Sequence, residues 1–137
     1  MKKMSYMIPA LVILCIMIVV SGQAKKQQEK GDSGMGFEQI SQLEAKRIMN
    51  NEEGYIIVDA RTEGEYVTGH IPGAICIPNE SIGTEMPVEL PDKEQLILVY
   101  CRSGNRSKQA AKKLAAIGYT NIKEFGGIMT WDGEIEQ

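Results

Sequence analysis

Short apolar runs alternate with segments of helical spacing along the chain from residue 37 onward. Runs rich in branched and aromatic side chains are typical of strands, and a continuous apolar run is typical of a buried one. Five segments are predicted as strands on this basis: residues 37–40, 55–58, 74–77, 96–101 and 119–125. Because strands that alternate with helices favour a parallel arrangement, the sequence predicts a single α/β domain with a parallel sheet flanked by helices.

Capping signals mark the start of two of the intervening helices. Ser41 and Glu44 have the capping-box spacing for a helix that runs to about Asn50. Thr62 and Glu65 repeat this spacing for a shorter helix after the second strand. Each start follows a predicted strand, as the alternating pattern requires.

The stretch 96–118 joins the most apolar strand to the clearest helix. Residues 108–117 carry apolar side chains at helical spacing, and Gly118 closes the segment. A short polar loop that begins at Cys101 lies between strand and helix. Backbone N–H groups at a helix start have no partner within the helix, so they favour an anion in such a loop. The sequence therefore predicts an anion-binding loop that contains a thiol.

The residues after Cys101 suit that loop. Gly104 permits backbone conformations that other residues avoid, and Arg102 and Arg106 add permanent positive charge. These features favour thiolate over thiol, which makes Cys101 a candidate nucleophile near neutral pH. The alternative is that Cys101 is a small apolar residue at the end of a strand. Two arginines and a glycine in the next five residues favour the reactive interpretation.

The sequence Cys-Arg-Ser-Gly-Asn-Arg-Ser at 101–107 resembles the active-site loop of the rhodanese (thiosulfate sulfurtransferase) family in its single-domain form. Three further motifs match in the expected order: Val-Asp-Ala-Arg at 58–61, Gly-His-Ile-Pro-Gly-Ala-Ile-Cys-Ile-Pro at 69–78 and Gly-Gly-Ile-Met-Thr-Trp at 126–131. The resemblance covers most of the chain from about Phe37. It implies a rhodanese-like parallel sheet of about five strands and a persulfide carried on Cys101.

The residues around Cys101 have expected roles in such a site. Substrate binding falls to the loop: Arg102, Ser103, Gly104, Asn105 and Arg106. Ser107, Asp59 and Arg61 are expected beside the site; an ion pair that supports the loop is favoured for the last two over direct catalysis. Asp59 follows a predicted strand, and the binding sites of parallel sheets lie at the carboxyl ends of strands. The expected partners are a small anionic sulfur donor and a thiol or cyanide acceptor, with no cofactor.

Three functional classes fit a reactive Cys101. The first is a thiosulfate sulfurtransferase, and the second is a non-catalytic persulfide carrier or sulfur-sensing module that acts with a protein partner. The third is a phosphatase or arsenate reductase, whose loops have five residues between cysteine and arginine. Only four residues separate Cys101 from Arg106, so loop length favours sulfur chemistry.

Two further residues bear on redox and metal chemistry. Cys76 stands where the family usually has a polar residue, and in an oxidising compartment it either pairs with Cys101 or stays a reduced strand residue. His70 is the only histidine and is expected in a turn. A lone histidine, with no cysteine pair at zinc-like spacing, predicts no metal site.

The first 24 residues differ from the rest. Lys2 and Lys3 precede an apolar run, and small residues end that run before a polar stretch. These are the parts of a secretory signal peptide, with cleavage expected after Ala24. An uncleaved membrane anchor through residues 4–20 is the alternative. In both cases the sequence predicts an exported domain, periplasmic or extracellular.

The remaining sequence divides into a linker and the domain. Residues 25–36 are polar and glycine-containing, which predicts a flexible linker, and the rhodanese-like domain is assigned to residues 37–137. Without residues 1–24 the chain keeps 13 basic and 18 acidic residues, a net charge of −5. This balance argues against nucleic-acid binding. The arginines of the loop form a local basic spot that suits a small anion.

Overall fold

The structure is a computed structural model that describes residues 34–137. The expected signal peptide and most of the expected linker therefore lie outside the described residues. No helix within residues 34–137 is long and apolar enough to cross a membrane.

Five parallel strands form one sheet in the order β1-β5-β4-β2-β3. The strands are β1 (Glu38–Gln39), β2 (Tyr55–Asp59), β3 (Ile75–Cys76), β4 (Leu96–Cys101) and β5 (Ile122–Gly127). The predicted parallel sheet of about five strands in a single α/β domain is confirmed. The most apolar strand, β4, lies at its centre, where both faces are covered.

Within residues 34–137, three helices and two short 3-10 turns accompany the sheet. The helices are α1 (Gln42–Asn51), α2 (Glu63–Val67) and α3 (Asn105–Ile117), and the turns are Asn79–Ser81 and Ile128–Thr130. Both predicted caps are confirmed: the Ser41 hydroxyl accepts a hydrogen bond from the Glu44 amide at 3.1 Å, and the Thr62 hydroxyl accepts one from the Glu65 amide at 3.2 Å.

Alternation along β4 divides the core into two layers. Ile97, Val99 and Cys101 pack in the layer that contains buried residues of α3, whereas Leu98 and Tyr100 pack in the layer that contains buried residues of α1. Successive side chains of a strand point to opposite faces of the sheet, which explains the division. Cys101 therefore lies on the α3 side of the sheet.

The last strand ends beside the thiol-bearing loop. The apolar pattern predicts a strand to residue 125, but β5 continues to Gly127, which pairs with Cys101 after an irregularity between Val99 and Cys101. A Cβ atom at Gly127 would overlap the carbonyl group of Arg102. The absence of a side chain at Gly127 thus lets β5 approach the loop closely enough to extend the sheet by two residues.

Candidate active site

The Cys101 thiol lies at the end of β4 with only 1% of the residue exposed. The Gly104 amide donates a hydrogen bond to its Sγ at 3.0 Å. Gly104 has φ of +109°, in the left-handed region that favours glycine, so the loop turns back and directs this amide at the sulfur. The site thus has a backbone donor aimed at the atom where negative charge would form.

The helix after the loop begins earlier than predicted. The apolar spacing predicts helix from residue 108, but α3 starts at Asn105, directly after the left-handed Gly104. Arg106 and Ser107 therefore lie in the first helical turn rather than in a loop. The positive end of a 13-residue helix then adjoins Cys101, which favours an anion at that position.

Ser107 contacts both the thiol and a buried carboxylate. Its hydroxyl lies 3.4 Å from Cys101 Sγ and 2.6 Å from Glu124 Oε1. Ser107 is fully buried and Glu124, on β5, is 3% exposed. Sequence reasoning placed Ser107 beside the site but missed Glu124. The available signal was an acidic residue inside the last predicted strand, which the apolar pattern does not explain.

Arg106 is held by an acidic partner from another helix. Its guanidinium donates hydrogen bonds to the Glu65 carboxylate at 2.9 and 3.2 Å. The hydrogen bond with Glu65 raises the pKa of Arg106 above its usual value. The pair is partly exposed, with 25% and 36% of the two side chains accessible, so solvent screens it. The positive charge of Arg106 is therefore partly neutralised by Glu65 of α2.

The other residues expected to bind substrate lie in the loop itself or at the start of α3. Arg102, Ser103 and Asn105 are exposed, whereas Gly104 is buried beneath them. The Arg102 carbonyl accepts a hydrogen bond from the Met129 amide at 3.1 Å. This bond ties the outer part of the loop to the 3-10 turn after β5.

Asp59 and Arg61 form the expected ion pair, on the opposite side of the sheet from the thiol. Arg61 Nη2 lies 2.7 Å from Asp59 Oδ2, and both side chains are buried. The pair also binds its surroundings, because the Tyr100 hydroxyl donates to Asp59 at 2.8 Å and Arg61 donates to the Gly69 carbonyl at 2.7 Å. Tyr100 directly precedes Cys101, so this network supports the strand end that carries the thiol.

Cys76 and Cys101 are both free thiols. Cys76 pairs with Asp59 of β2, and Asp59 pairs in turn with Tyr100 of β4. Two strand spacings amount to about 10 Å, beyond the ~7 Å Cα limit for a disulfide. Burial, together with the charges of Asp59 and Glu63, raises the pKa of the Cys76 thiol to about 11. The structure therefore keeps Cys76 a protonated thiol, away from Cys101.

His70 lies in a turn that holds the C-terminal residues. Its ring stacks on Tyr66 with centroids 3.8 Å apart, and Nε2 lies 3.2 Å from Glu136 Oε1. The backbones of His70 and Glu136 also exchange two hydrogen bonds of 2.9 Å. Among residues 34–137 no cluster of histidine, cysteine and acidic side chains could hold a metal ion.

A family model described as the rhodanese-like domain matches residues 41–134, which include the whole site. The chain belongs to the rhodanese-like domain family. Its curated relatives include the thiosulfate sulfurtransferase PspE of Escherichia coli, 35% identical over 71 residues that cover 52% of this chain and 68% of that protein. A sulfurtransferase of Allochromatium vinosum is 38% identical over 88 residues, which cover 64% of this chain and 79% of that protein.

The fold agrees with solved structures of this family. A structure described as rhodanese with anions, from Escherichia coli, superposes with a TM-score of 0.55 and 31% identity, over 61% of this chain and 98% of that one. Longer relatives match only in part: this rhodanese-like chain spans about a quarter of the curated adenylyltransferase and sulfurtransferase proteins that it also matches. The comparisons support sulfurtransferase activity for the family to which this chain belongs.

Proposed function

We propose that the chain transfers sulfane sulfur from a small anionic donor such as thiosulfate to a thiol or cyanide, with a persulfide on Cys101 as the intermediate. The observation that carries this proposal is the Gly104 amide, which points at Cys101 Sγ from 3.0 Å at the start of α3. A sulfur anion at this position gains a backbone hydrogen bond and the positive end of a helix. The positive end of the helix also favours the anion of the product persulfide, whose charge lies on the outer sulfur.

The proposed reaction has two displacements. In the first, the Cys101 thiolate attacks the outer sulfur of thiosulfate, a new S–S bond forms, and the old S–S bond breaks with its electron pair leaving on sulfite. In the second, a thiolate or cyanide attacks the outer sulfur of the persulfide and releases the Cys101 thiolate. Backbone amides and arginines near the loop lower the cost of negative charge that develops as each bond breaks.

Intact-mass analysis tests the persulfide directly. After treatment with thiosulfate and removal of excess donor, we expect the mass of the protein to increase by one sulfur atom and to return to its original value on addition of cyanide. The Cys101→Ser variant should gain no sulfur, whereas the matched Cys76→Ser variant should behave as wild type. Sulfur that stays on the protein in the presence of small acceptors would favour the carrier alternative. Hydrolysis of aryl phosphates without any sulfur transfer would contradict the proposal.

We also propose that the domain is exported, on the basis of the basic start and apolar run in residues 1–24. Intact mass of the protein recovered from its native host tests this. A chain that begins at residue 25 outside the cytoplasm supports cleavage, and a full-length chain in the membrane fraction supports the anchor. A full-length chain recovered from the cytoplasm would contradict export.

A further inference from the structure

Glu124 is a buried carboxylate beside the thiol that neither the sequence motifs nor the two displacement steps use. It lies on β5 with 3% of the residue exposed. Its Oε1 accepts hydrogen bonds from the Ser107 hydroxyl at 2.6 Å and from the Gly126 amide at 2.8 Å. Among the described residues, no lysine or arginine forms a salt bridge with Glu124. The carboxylate is therefore directed at Ser107 rather than at a cation.

The single hydroxyl proton of Ser107 has a preferred direction. Three acceptors lie near the Ser107 oxygen, namely Glu124 Oε1 at 2.6 Å, the Gly104 carbonyl at 3.0 Å and the Gly126 carbonyl at 3.4 Å. A charged acceptor at the shortest distance makes the strongest of these bonds. With its proton directed at Glu124, the oxygen keeps lone pairs free, and Cys101 Sγ lies 3.4 Å away. The thiol can then donate its proton to Ser107.

We propose that Glu124 is a positioning residue that receives the Cys101 thiol proton through Ser107. As the S–H bond breaks, its proton bonds to the Ser107 oxygen, and the original Ser107 proton moves to the Glu124 carboxylate. The hydroxyl that remains then donates to the thiolate. No electron is gained or lost, and the three side chains together keep one negative charge. The thiolate thus forms in a site that is closed to bulk water, since Cys101, Ser107 and Glu124 are all buried.

The neighbouring charged groups on α3 and β5 pair with other residues, so the proton transfer involves only Cys101, Ser107 and Glu124. On α3, the neighbouring Arg106 is directed at Glu65. On β5, the adjacent Lys123 pairs with Glu38 of β1 at 2.6 Å. On β1, the residue opposite Glu124 is the uncharged Gln39. The inference rests on the proposed function only where it assigns the Cys101 thiolate to sulfur transfer. Deprotonation of Cys101 can be measured without any sulfur donor.

The pH dependence of alkylation tests the proposal. The full-length protein is treated with iodoacetamide across a pH series, and modification of the Cys101 peptide is followed by mass spectrometry. Because two coupled groups share one proton, we expect thiolate to appear in two steps separated by a plateau. Glu124→Gln keeps an oxygen acceptor for Ser107 and Gly126 but cannot take a proton, so the lower step should be lost. Ser107→Ala should make the lower step smaller.

The matched control is Glu38→Gln, which removes an exposed carboxylate from β1 and should keep both steps. A single wild-type step that Glu124→Gln does not move to higher pH, or two steps in Glu124→Gln, would overturn the proposal, since loss of a purely structural carboxylate would neither remove a step nor raise the pH at which thiolate forms. An infrared difference spectrum of the wild type needs no variant. At the plateau pH, alkylation should remove a protonated-carboxyl band, and absence of that change would also overturn the proposal. Neither result depends on whether thiosulfate is a donor.

Discussion

The Arg106–Glu65 pair allows a quantitative prediction about donor binding. Glu65→Gln keeps the size of the side chain but removes the negative charge that binds Arg106. Because the pair is partly exposed, the change should lower the free energy of unfolding by about 1 kcal/mol or less. Its effect on the binding of an anionic donor should be relatively larger, because Glu65 then no longer neutralises the positive charge of Arg106 beside the loop.

The magnitude follows from Coulomb's law. At a separation of one Debye length (~8 Å) between the Glu65 carboxylate and a bound dianionic donor, repulsion amounts to about 1 kcal/mol in water-like surroundings before screening. Glu65→Gln removes this repulsion. Since 1.4 kcal/mol corresponds to a tenfold change in binding, we expect Glu65→Gln to lower KM for thiosulfate about fivefold at low salt. We expect kcat to change little, because the charge acts on the bound donor and on the transition state alike.

Steady-state kinetics at several salt concentrations provides the assay. The effect of Glu65→Gln on KM should shrink as ionic strength rises, because salt screens exposed charges. Glu44→Gln is the matched control, because Glu44 likewise pairs with an arginine. Its partner is Arg47, and both residues lie on α1. An unchanged KM in Glu65→Gln at low salt would refute the view that Arg106 attracts the donor.

Three further predictions concern stability, loop geometry and the second thiol. Asp59→Asn leaves Arg61 buried without a charged partner, so urea denaturation should show a loss of about 3–5 kcal/mol, and a loss near zero would contradict the structural role of the pair. Gly127→Ala inserts a Cβ against the Arg102 carbonyl; this should cost about 1–3 kcal/mol in thermal or urea unfolding and slow sulfur transfer, and wild-type values for both would contradict the close approach. With its pKa raised to about 11, the Cys76 thiol stays protonated at pH 8 and should react slowly with iodoacetamide until the pH approaches 11, whereas rapid modification at pH 8 would contradict that shift.

Local patterns predicted the elements of the fold more accurately than their contacts. Ser41 and Thr62 cap the helices that their spacing predicts, because a cap depends on residues only three positions apart. The glutamates of the same two capping boxes bind arginines instead, and Glu65 does so across 41 residues of sequence. Such long-range partners depend on how the helices pack, which a capping pattern does not encode.

In the site, too, local features were predicted better than long-range contacts. The apolar run correctly predicted that Cys101 lies at the carboxyl end of a buried strand, and the following glycine predicted a curled loop. The early start of α3 depends on the left-handed conformation of Gly104, which residue type permits but does not dictate. Glu124 comes close to Ser107 only because β5 pairs with β4, so the sequence offered an unexplained acidic residue rather than a contact.

The burial of Cys101 has different consequences for the free thiol and for the proposed persulfide. In the empty state the sulfur is almost inaccessible, so a bulky oxidant or a protein thiol cannot reach it without movement of the loop. A persulfide places its outer sulfur about 2 Å farther along, the length of an S–S bond. Under the proposed mechanism, sulfur loading would be restricted to small donors, whereas the outer sulfur of the persulfide would lie nearer to larger acceptors. In an oxidising environment, this asymmetry would protect the resting thiol while leaving the transferable sulfur available.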